Sequence, residues 1–302
     1  MFGKRLSETS LVVGAPAKVN LFLQVLSKRP DNYHDINSLM IAVSLFDRLT
    51  LTRTPQPGIT LELSPNSRIP EPIPLDEHNL IAKAYQAMAK HKKLDGGLHV
   101  VIDKQIPVAA GLAGGSSDAA ATLSAINLLF DLNLDRSALA EIGLEIGSDL
   151  PFFFSSGTAI VQGRGEQIEP TTIPDDFWLV LVTPRVSIST AASYAALRMT
   201  LTNSKQVFTL PRCRAVEELF KALLLTGNDF EEIHLKSFPE LGRIKDGLLQ
   251  NGAQVARLSG SGPTMVGLYG ALPTTEESGS MNRGDWHVST VRPVALPIAD
   301  FL

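Results

Sequence analysis

The sequence predicts an α+β protein of two lobes, and three observations lead there. At 302 residues the chain is long enough for two medium domains, each with its own core. A turn-rich segment over residues 163–176 falls near the middle and separates two runs of predicted elements. Beyond it, two helices with two strands give the order of an α+β layer sandwich. The boundary is placed at residue 170, which gives lobes of residues 1–170 and 171–302.

The elements follow from hydrophobic period and turn chemistry. Over residues 17–26, Val19, Leu21, Leu23 and Val25 share one face and Lys18, Asn20, Phe22 and Gln24 the other, which predicts a strand with a polar side. Asp31 and Asn32 then signal a turn that carries Tyr33 and His34. Ile59, Leu61 and Leu63 repeat at period two in a second strand, and the proline-rich residues 64–74 read as an exposed loop. Leu80, Ile81, Ala84, Tyr85 and Met88 recur at helical spacing, with Asp76 or Asn79 available as the cap. A strand over 98–102 precedes the Pro107 loop. After Ser116, Ala119, Ala120, Ala121, Leu123, Ile126 and Leu129 predict a helix whose small residues admit close neighbours, and Asp135 caps another that runs to Ile146. In the second half, residues 177–182 predict a buried strand, 216–225 and 238–251 helices, and 255–258 and 264–269 paired strands. The polar, glycine-bearing residues 271–285 predict a mobile loop.

Composition narrows the function. Hydrophobic residues make up 44% and charged residues 19%, so the chain folds rather than staying disordered. A net charge of −4 without a basic run offers no face for nucleic acid or an anionic membrane. The single cysteine, Cys213, excludes an intramolecular disulfide and a multi-cysteine zinc site. No stretch predicts a membrane span or a targeting segment, so the expectation is a cytoplasmic protein acting on a small molecule. His78, His91, His99, His234 and His287 stand singly without metal-ligand spacing, and no role is assigned to them.

The most informative segment runs from Pro107 through Gly111, Leu112, Ala113, Gly114, Gly115, Ser116 and Ser117 into the alanine-rich helix. Glycines let backbone approach an anion, serines add donors, and the helix start presents free N–H groups and the positive end of its dipole. The pattern predicts a phosphate cradle, against the blander reading of a glycine turn entering a helix. Neither a P-loop nor a G-x-G-x-x-G fingerprint nor a G-x-S-x-G elbow occurs, so phosphoryl transfer without a P-loop remains. A second glycine-serine turn, from Ser259 to Thr264, lies between the two late strands, where such turns also serve as plain hairpin connections. Transfer to an alcohol needs a base and a cation. Lys18 on the polar side of its strand is the candidate cation. Asp149, before the apolar Pro151-Phe152-Phe153-Phe154 run, reads equally as a desolvated base or as the residue that closes a turn.

Together these residues resemble the GHMP kinase superfamily, the group of galactokinase, homoserine kinase and mevalonate kinase. Three ordered motifs carry the resemblance over nearly the whole chain: Ala15-Pro16-Ala17-Lys18-Val19-Asn20-Leu21, the loop from Pro107 to Ala120, and the turn from Ser259 to Thr264. The Asp31-Asn32-Tyr33-His34 turn and residues 147–154 point, within it, to the branch whose acceptor is a cytidyl diphosphate sugar alcohol of isoprenoid precursor synthesis. The resemblance implies two lobes, one related to ribosomal protein S5 domain 2 and one ferredoxin-like, with ATP and Mg2+ used in the cleft by a monomer or homodimer. It implies Asp149 as base and Lys18 as the polarising cation, with Asn20 lining the site. Tyr33 and Tyr194 would sandwich cytosine while His34 reads its edge, and Thr190 would sit on the substrate side. Asn79 and Lys104 match positions of adenine contact, and Pro107 with Gly111 through Ser117 would wrap the phosphates; no metal ligand is assigned. Three positions depart from the pattern: Asn32 and Ala113 replace glycines, and Tyr194 replaces a phenylalanine. Asn32 tolerates the positive φ such a turn requires.

Overall fold

Two long strands organise the first half of the molecule, which is described here from a computed structural model covering residues 3–69, 72–197, 206–274 and 285–296. Strand β1 (Gly3–Ser7) turns into β2 (Ser10–Lys28), which pairs antiparallel along its length with β3 (His34–Thr54). Then come β4 (Gly58–Leu63), α1 (Leu80–His91), β5 (Gly97–Asp103), α2 (Gly114–Leu129) and α3 (Arg136–Leu144). A short 3₁₀ turn (Pro151–Phe154) leads to β6 (Thr158–Gly163) and β7 (Gln167–Pro170). The far edge of β3 pairs with β6 through Ile36–Ile41 and with β5 through Arg48–Thr54, so one strand spans the sheet of order β1-β2-β3-β5-β4.

The second half begins with β8 (Trp178–Pro184) and continues through α4 (Thr190–Ala196), α5 (Val216–Leu224), α6 (Glu231–Ser237) and α7 (Pro239–Gln250). Strands β9 (Val255–Leu258), β10 (Met265–Tyr269) and β11 (Trp286–Val291) complete an antiparallel sheet of order β11-β8-β10-β9. The α+β class follows: helices α1 and α2 pack on the first sheet, α7 on the second. Among the described residues no helix is long and apolar enough to cross a membrane. Most of the loop expected at 271–285 lies outside the described residues.

The alternation along β2 is interrupted, with consequences for the site. Asn20 pairs with Met40 and Phe22 with Leu39, so one extra residue is inserted at Leu21. Such a bulge exchanges the faces that follow it. Ala17, Val19, Leu21 and Phe22 therefore join a core with Leu179, Leu181 and Phe220 of the second half, while Leu23 and Val25 enter the core beneath the helices. The single apolar face expected for Val19 through Val25 becomes two. Arg257, buried on β9, donates a hydrogen bond to the Leu21 carbonyl at this bulge and a second, of 2.7 Å, to the Leu223 carbonyl. Burial lowers its pKa to about 10, which still leaves it charged at neutral pH.

Candidate active site

Lys18 projects from β2 just before the bulge and is 4% exposed. Its ammonium donates to Asn20 Oδ1 at 2.7 Å and to the Gly111 carbonyl at 3.1 Å. Burial pushes its pKa below the ordinary lysine value, and the negative charge of Asp149 pulls in the opposite direction. Asp149 stands half-buried in the turn between α3 and the 3₁₀ turn, whose four residues Pro151 through Phe154 are all buried. Asn20 is fixed in turn: its amide donates to Ser38 Oγ at 2.8 Å, and that hydroxyl donates to the Phe22 carbonyl at 2.6 Å.

The glycine-serine loop meets this cation directly. Ala109, Gly111 and Ala113 adopt φ of 50°, 76° and 53°, so the loop turns three times through left-handed backbone before α2 starts. Two of those residues are alanines, each left-handed at about 1–2 kcal/mol. Ala113 caps α2 without any side-chain bond, and among the described residues no side chain accepts from the first N–H groups of this sixteen-residue helix. The late turn closes the other side. Ser259 Oγ donates to the Gly111 carbonyl at 3.1 Å and accepts from the Asn20 backbone N–H at 3.3 Å, and Thr264 N donates to the Ala110 carbonyl at 3.3 Å. Asn228 holds that turn from behind through its amide, which donates to the Leu258 and Gly260 carbonyls at 2.9 and 2.8 Å.

These elements enclose a cavity of about 430 Å³. Lys18, Asn20, Asp149, Thr190 and Tyr194 line it, together with Pro107, Gly111, Ala113, Gly114, Gly115 and Ser116 of the glycine-serine loop and helix start. Asn79 and Lys104 line it as well, although their polar groups are engaged: Asn79 caps α1 by accepting from Ile81 N at 2.9 Å, and the Lys104 ammonium pairs with Asp47 and Asp118. Leu112 points into the core and Ser117 Oγ is buried without a partner among the described residues, so neither side chain lines the cavity. Neither Tyr33 nor His34 is among the residues that line it, and of the two His34 reaches the lining, through Tyr194. The His34 ring stacks on Tyr194 at 4.6 Å and 21°, and Tyr194 packs edge-on against Phe230 at 4.9 Å. Tyr33 is half exposed, with the Arg164 guanidinium 5.1 Å from its ring centre. Asn32 takes φ of 66°, the left-handed turn its residue type tolerates. Burial, with the charge of Asp149, raises the Tyr194 phenol to about 12, so it stays protonated.

Sequence reasoning missed part of the lining. His78, given no role, joins Ile73, Pro74 and Leu80 at the end of the cavity near α1. Thr190 Oγ1 lies 2.9 Å from Ser261 Oγ, which ties α4 to the late turn. Asn228 had no signal, because its partners are backbone carbonyls some thirty residues away.

The family of the GHMP kinases matches in two parts: its N-terminal domain over residues 79–157 and its C-terminal domain over residues 213–279. The chain is 42% identical over 257 residues to the 4-diphosphocytidyl-2-C-methyl-D-erythritol kinase of Brevibacillus brevis, which covers 85% of this chain and 86% of that one. The chain belongs to the GHMP kinases. A crystal structure of 4-(cytidine 5'-diphospho)-2C-methyl-D-erythritol kinase superposes with a TM-score of 0.73 at 28% identity, over 94% of this chain and all of that one. Homoserine kinase from Cytophaga hutchinsonii shares the fold at a TM-score of 0.69 and 16% identity, over 97% of each chain. As a GHMP kinase the protein is an ATP-dependent phosphotransferase.

Proposed function

We propose that the acceptor is the 2-hydroxyl of 4-diphosphocytidyl-2-C-methyl-D-erythritol, converted with ATP to the 2-phosphate and ADP in the non-mevalonate supply of isoprenoid precursors. The observation that carries this reading is the stacked His34–Tyr194 pair beside the Lys18–Asp149 side of the cavity. Flat rings with a hydrogen-bonding edge suit a planar base, and an acceptor such as homoserine or mevalonate has no group that would use them.

In this mechanism the Asp149 carboxylate takes the proton of the substrate hydroxyl as its oxygen bonds to the γ-phosphorus and the bond to the β-phosphate oxygen breaks. The Lys18 ammonium, held by Asn20 and Gly111, stabilises the forming alkoxide and the migrating group. The amides at the start of α2 and the Ser116 hydroxyl hold the phosphates of the departing ADP. Tyr33 and Tyr194 flank the cytosine, and His34 reads its edge from the position its stack prepares. The residues present also fit magnesium carried on the nucleotide. Among the described residues the carboxylates that line the cavity are Asp118, engaged by Lys104, and Asp149, so a magnesium ion there would take most of its ligands from phosphate oxygens and water. Magnesium there neutralises charge on the β and γ phosphates. Charged, soluble reactants and products go with a cytoplasmic enzyme.

The test is coupled ADP release with ATP and magnesium, comparing the cytidyl substrate with homoserine and mevalonate. Release with the cytidyl compound alone, inhibited by added CDP, is the expected result. Release with either of the other alcohols would overturn the acceptor assignment.

A further inference from the structure

The geometry points to Asp47, Lys104 and Asp118 as a positioning triad that fixes both ends of the phosphate loop against β3 and so sets the affinity for ATP. The inference rests on the reading that this loop holds the nucleotide's phosphates. None of the three side chains takes part in the transfer described above. Lys104 begins the loop and Asp118 lies in the first turns of the helix that ends it. Between these two, the Lys104 ammonium donates to Asp118 Oδ2 at 2.8 Å, and it also pairs with Asp47 Oδ2 on β3. The other oxygen of Asp47 accepts from the Gln105 and Ile106 amides at 2.6 and 2.8 Å. Sheet, loop entrance and helix are thus joined at one point, where the three residues are 0%, 5% and 3% exposed.

The loop needs such a joint. Its left-handed alanines, Ala109 and Ala113, hold a sparsely populated backbone that persists only where the surroundings over-determine it. The joint also sits where phosphate must bind. A Cβ on Gly114, the first residue of α2, would lie 3.0 Å from Lys104 Nζ, so the lysine passes directly beneath the helix start. A lone cation there opposes the helix dipole. The flanking carboxylates offset that cation and leave the amides to the nucleotide.

Charge balance is consistent with this role. Two carboxylates and one ammonium would leave one negative charge facing the phosphates. Asp118 Oδ1, however, has no partner among the described residues, and burial together with repulsion from Asp47 pushes the Asp118 pKa up to about 8. Burial disfavours the Lys104 cation, yet Asp118 and Asp47 together hold its pKa above the ordinary lysine value. The raised Asp118 pKa lessens the negative charge that the triad turns toward the phosphates. Burial alone would not require an ion triad at this point, since an apolar cluster of equal volume is commonly as stable. What the triad supplies is a fixed spacing between three elements.

The test uses the full chain with Asp118→Asn and, separately, Asp47→Asn. Each variant leaves one carboxylate for Lys104, so no unpaired charge is buried. Steady-state kinetics and titration with a non-hydrolysable ATP analogue are read alongside melting temperature. The expected result is a nucleotide Kd and ATP KM raised about tenfold or more, acceptor KM within about twofold, and kcat less affected than KM. A folded variant with nucleotide affinity within about twofold of wild type overturns the proposal, as does loss of kcat with both KM values unchanged. Failure of both variants to fold also overturns it, because the triad would then be a folding element. If the wild-type protein binds the analogue but phosphorylates none of the three alcohols, the acceptor assignment fails while the titration still decides the triad.

Discussion

Replacing Gly111 with alanine perturbs a residue of the glycine-serine loop that both Lys18 and the late turn touch. Its carbonyl accepts from Lys18 Nζ and from Ser259 Oγ, each at 3.1 Å. A Cβ at this position would sit 2.2 Å from the Ser259 carbonyl oxygen and 3.1 Å from Gly262 N. Positive φ by itself does not forbid the change, since Ala109 and Ala113 adopt it on either side. The collision decides, because relieving it requires about 1 Å of backbone movement. Left-handed alanine costs about 1–2 kcal/mol and overpacking adds about 1–3 kcal/mol. The sum is a loss of roughly 2–5 kcal/mol, or a fall in melting temperature of about 4 °C or more for a chain of this size. A shift of that size at the Lys18 acceptor should lower kcat about 100-fold. Differential scanning calorimetry and the ADP-release assay read the two effects. Gly242, which lies inside α7 and where a Cβ would meet nothing within 4 Å, is the control; alanine there should stabilise by about 0.5–1 kcal/mol. An unchanged melting temperature and kcat for Gly111→Ala would refute the claim that the two turns and Lys18 form one unit.

Other substitutions separate the roles within that unit. Asp149→Asn should keep ATP affinity and lose about 100- to 10,000-fold in kcat, and near-normal turnover would remove Asp149 as the base. Burial holds the Lys18 pKa below its ordinary value of 10.5, opposed by Asp149, so the ammonium loses its proton as pH rises through the lowered value. A pH–rate profile should show kcat falling on that alkaline side; a flat profile up to pH 10.5 would contradict the assignment. For stability the sign is opposite: between the lowered folded value and the ordinary unfolded one, the unfolded chain holds more protons, and this lysine's contribution rises with pH. Asn228→Ala removes the donor to two carbonyls and the acceptor for Phe230 N at 2.9 Å, and should cost roughly 2–4 kcal/mol by thermal denaturation. A loss below about 0.5 kcal/mol would mean that Asn228 does not hold the late turn.

Legibility in the sequence followed the range of the interactions. The glycine-serine loop and the start of α2 could be read because their pattern is local: glycine, serine and a helix start within fourteen residues. Between the two possible caps of α1, Asn79 takes the role, while Asp76 Oδ1 accepts from His78 N within its own turn. Strand β3 gave no alternating signal. Leu39 through Val43 are all buried, because helices cover one face of the sheet and the second half covers the other, and burial on both faces erases the period of two. Helices α4 and α6 have seven residues each, too few for a helical period to register. The turn-rich stretch after Gly163 hid the four residues of β7 for the same reason. The positions of Asp47 and Asp118 in the triad were illegible for a different cause: 47, 104 and 118 meet only when the sheet, the loop and α2 have packed.

The alanines of the phosphate loop then acquire a physical rationale. Glycine at 109 and 113 would relieve left-handed strain, but it would also let the unliganded loop sample many shapes, and binding would have to freeze them. Alanine narrows that ensemble. Its cost, about 1–2 kcal/mol at each position, must be offset by contacts that are present before the nucleotide arrives. Those contacts exist on both sides of the loop. Lys18 N donates to the Leu112 carbonyl at 3.0 Å and Lys18 Nζ to the Gly111 carbonyl, while Lys104 ties the loop entrance to α2 through Asp118. The bond to the Gly111 carbonyl also aims the Lys18 ammonium, so one interaction that holds the loop would also place the cation in the proposed transfer. In the proposed mechanism nucleotide affinity and the position of the Lys18 ammonium are therefore coupled through Gly111 and Leu112, and a substitution should lower kcat only as far as it moves those two carbonyls.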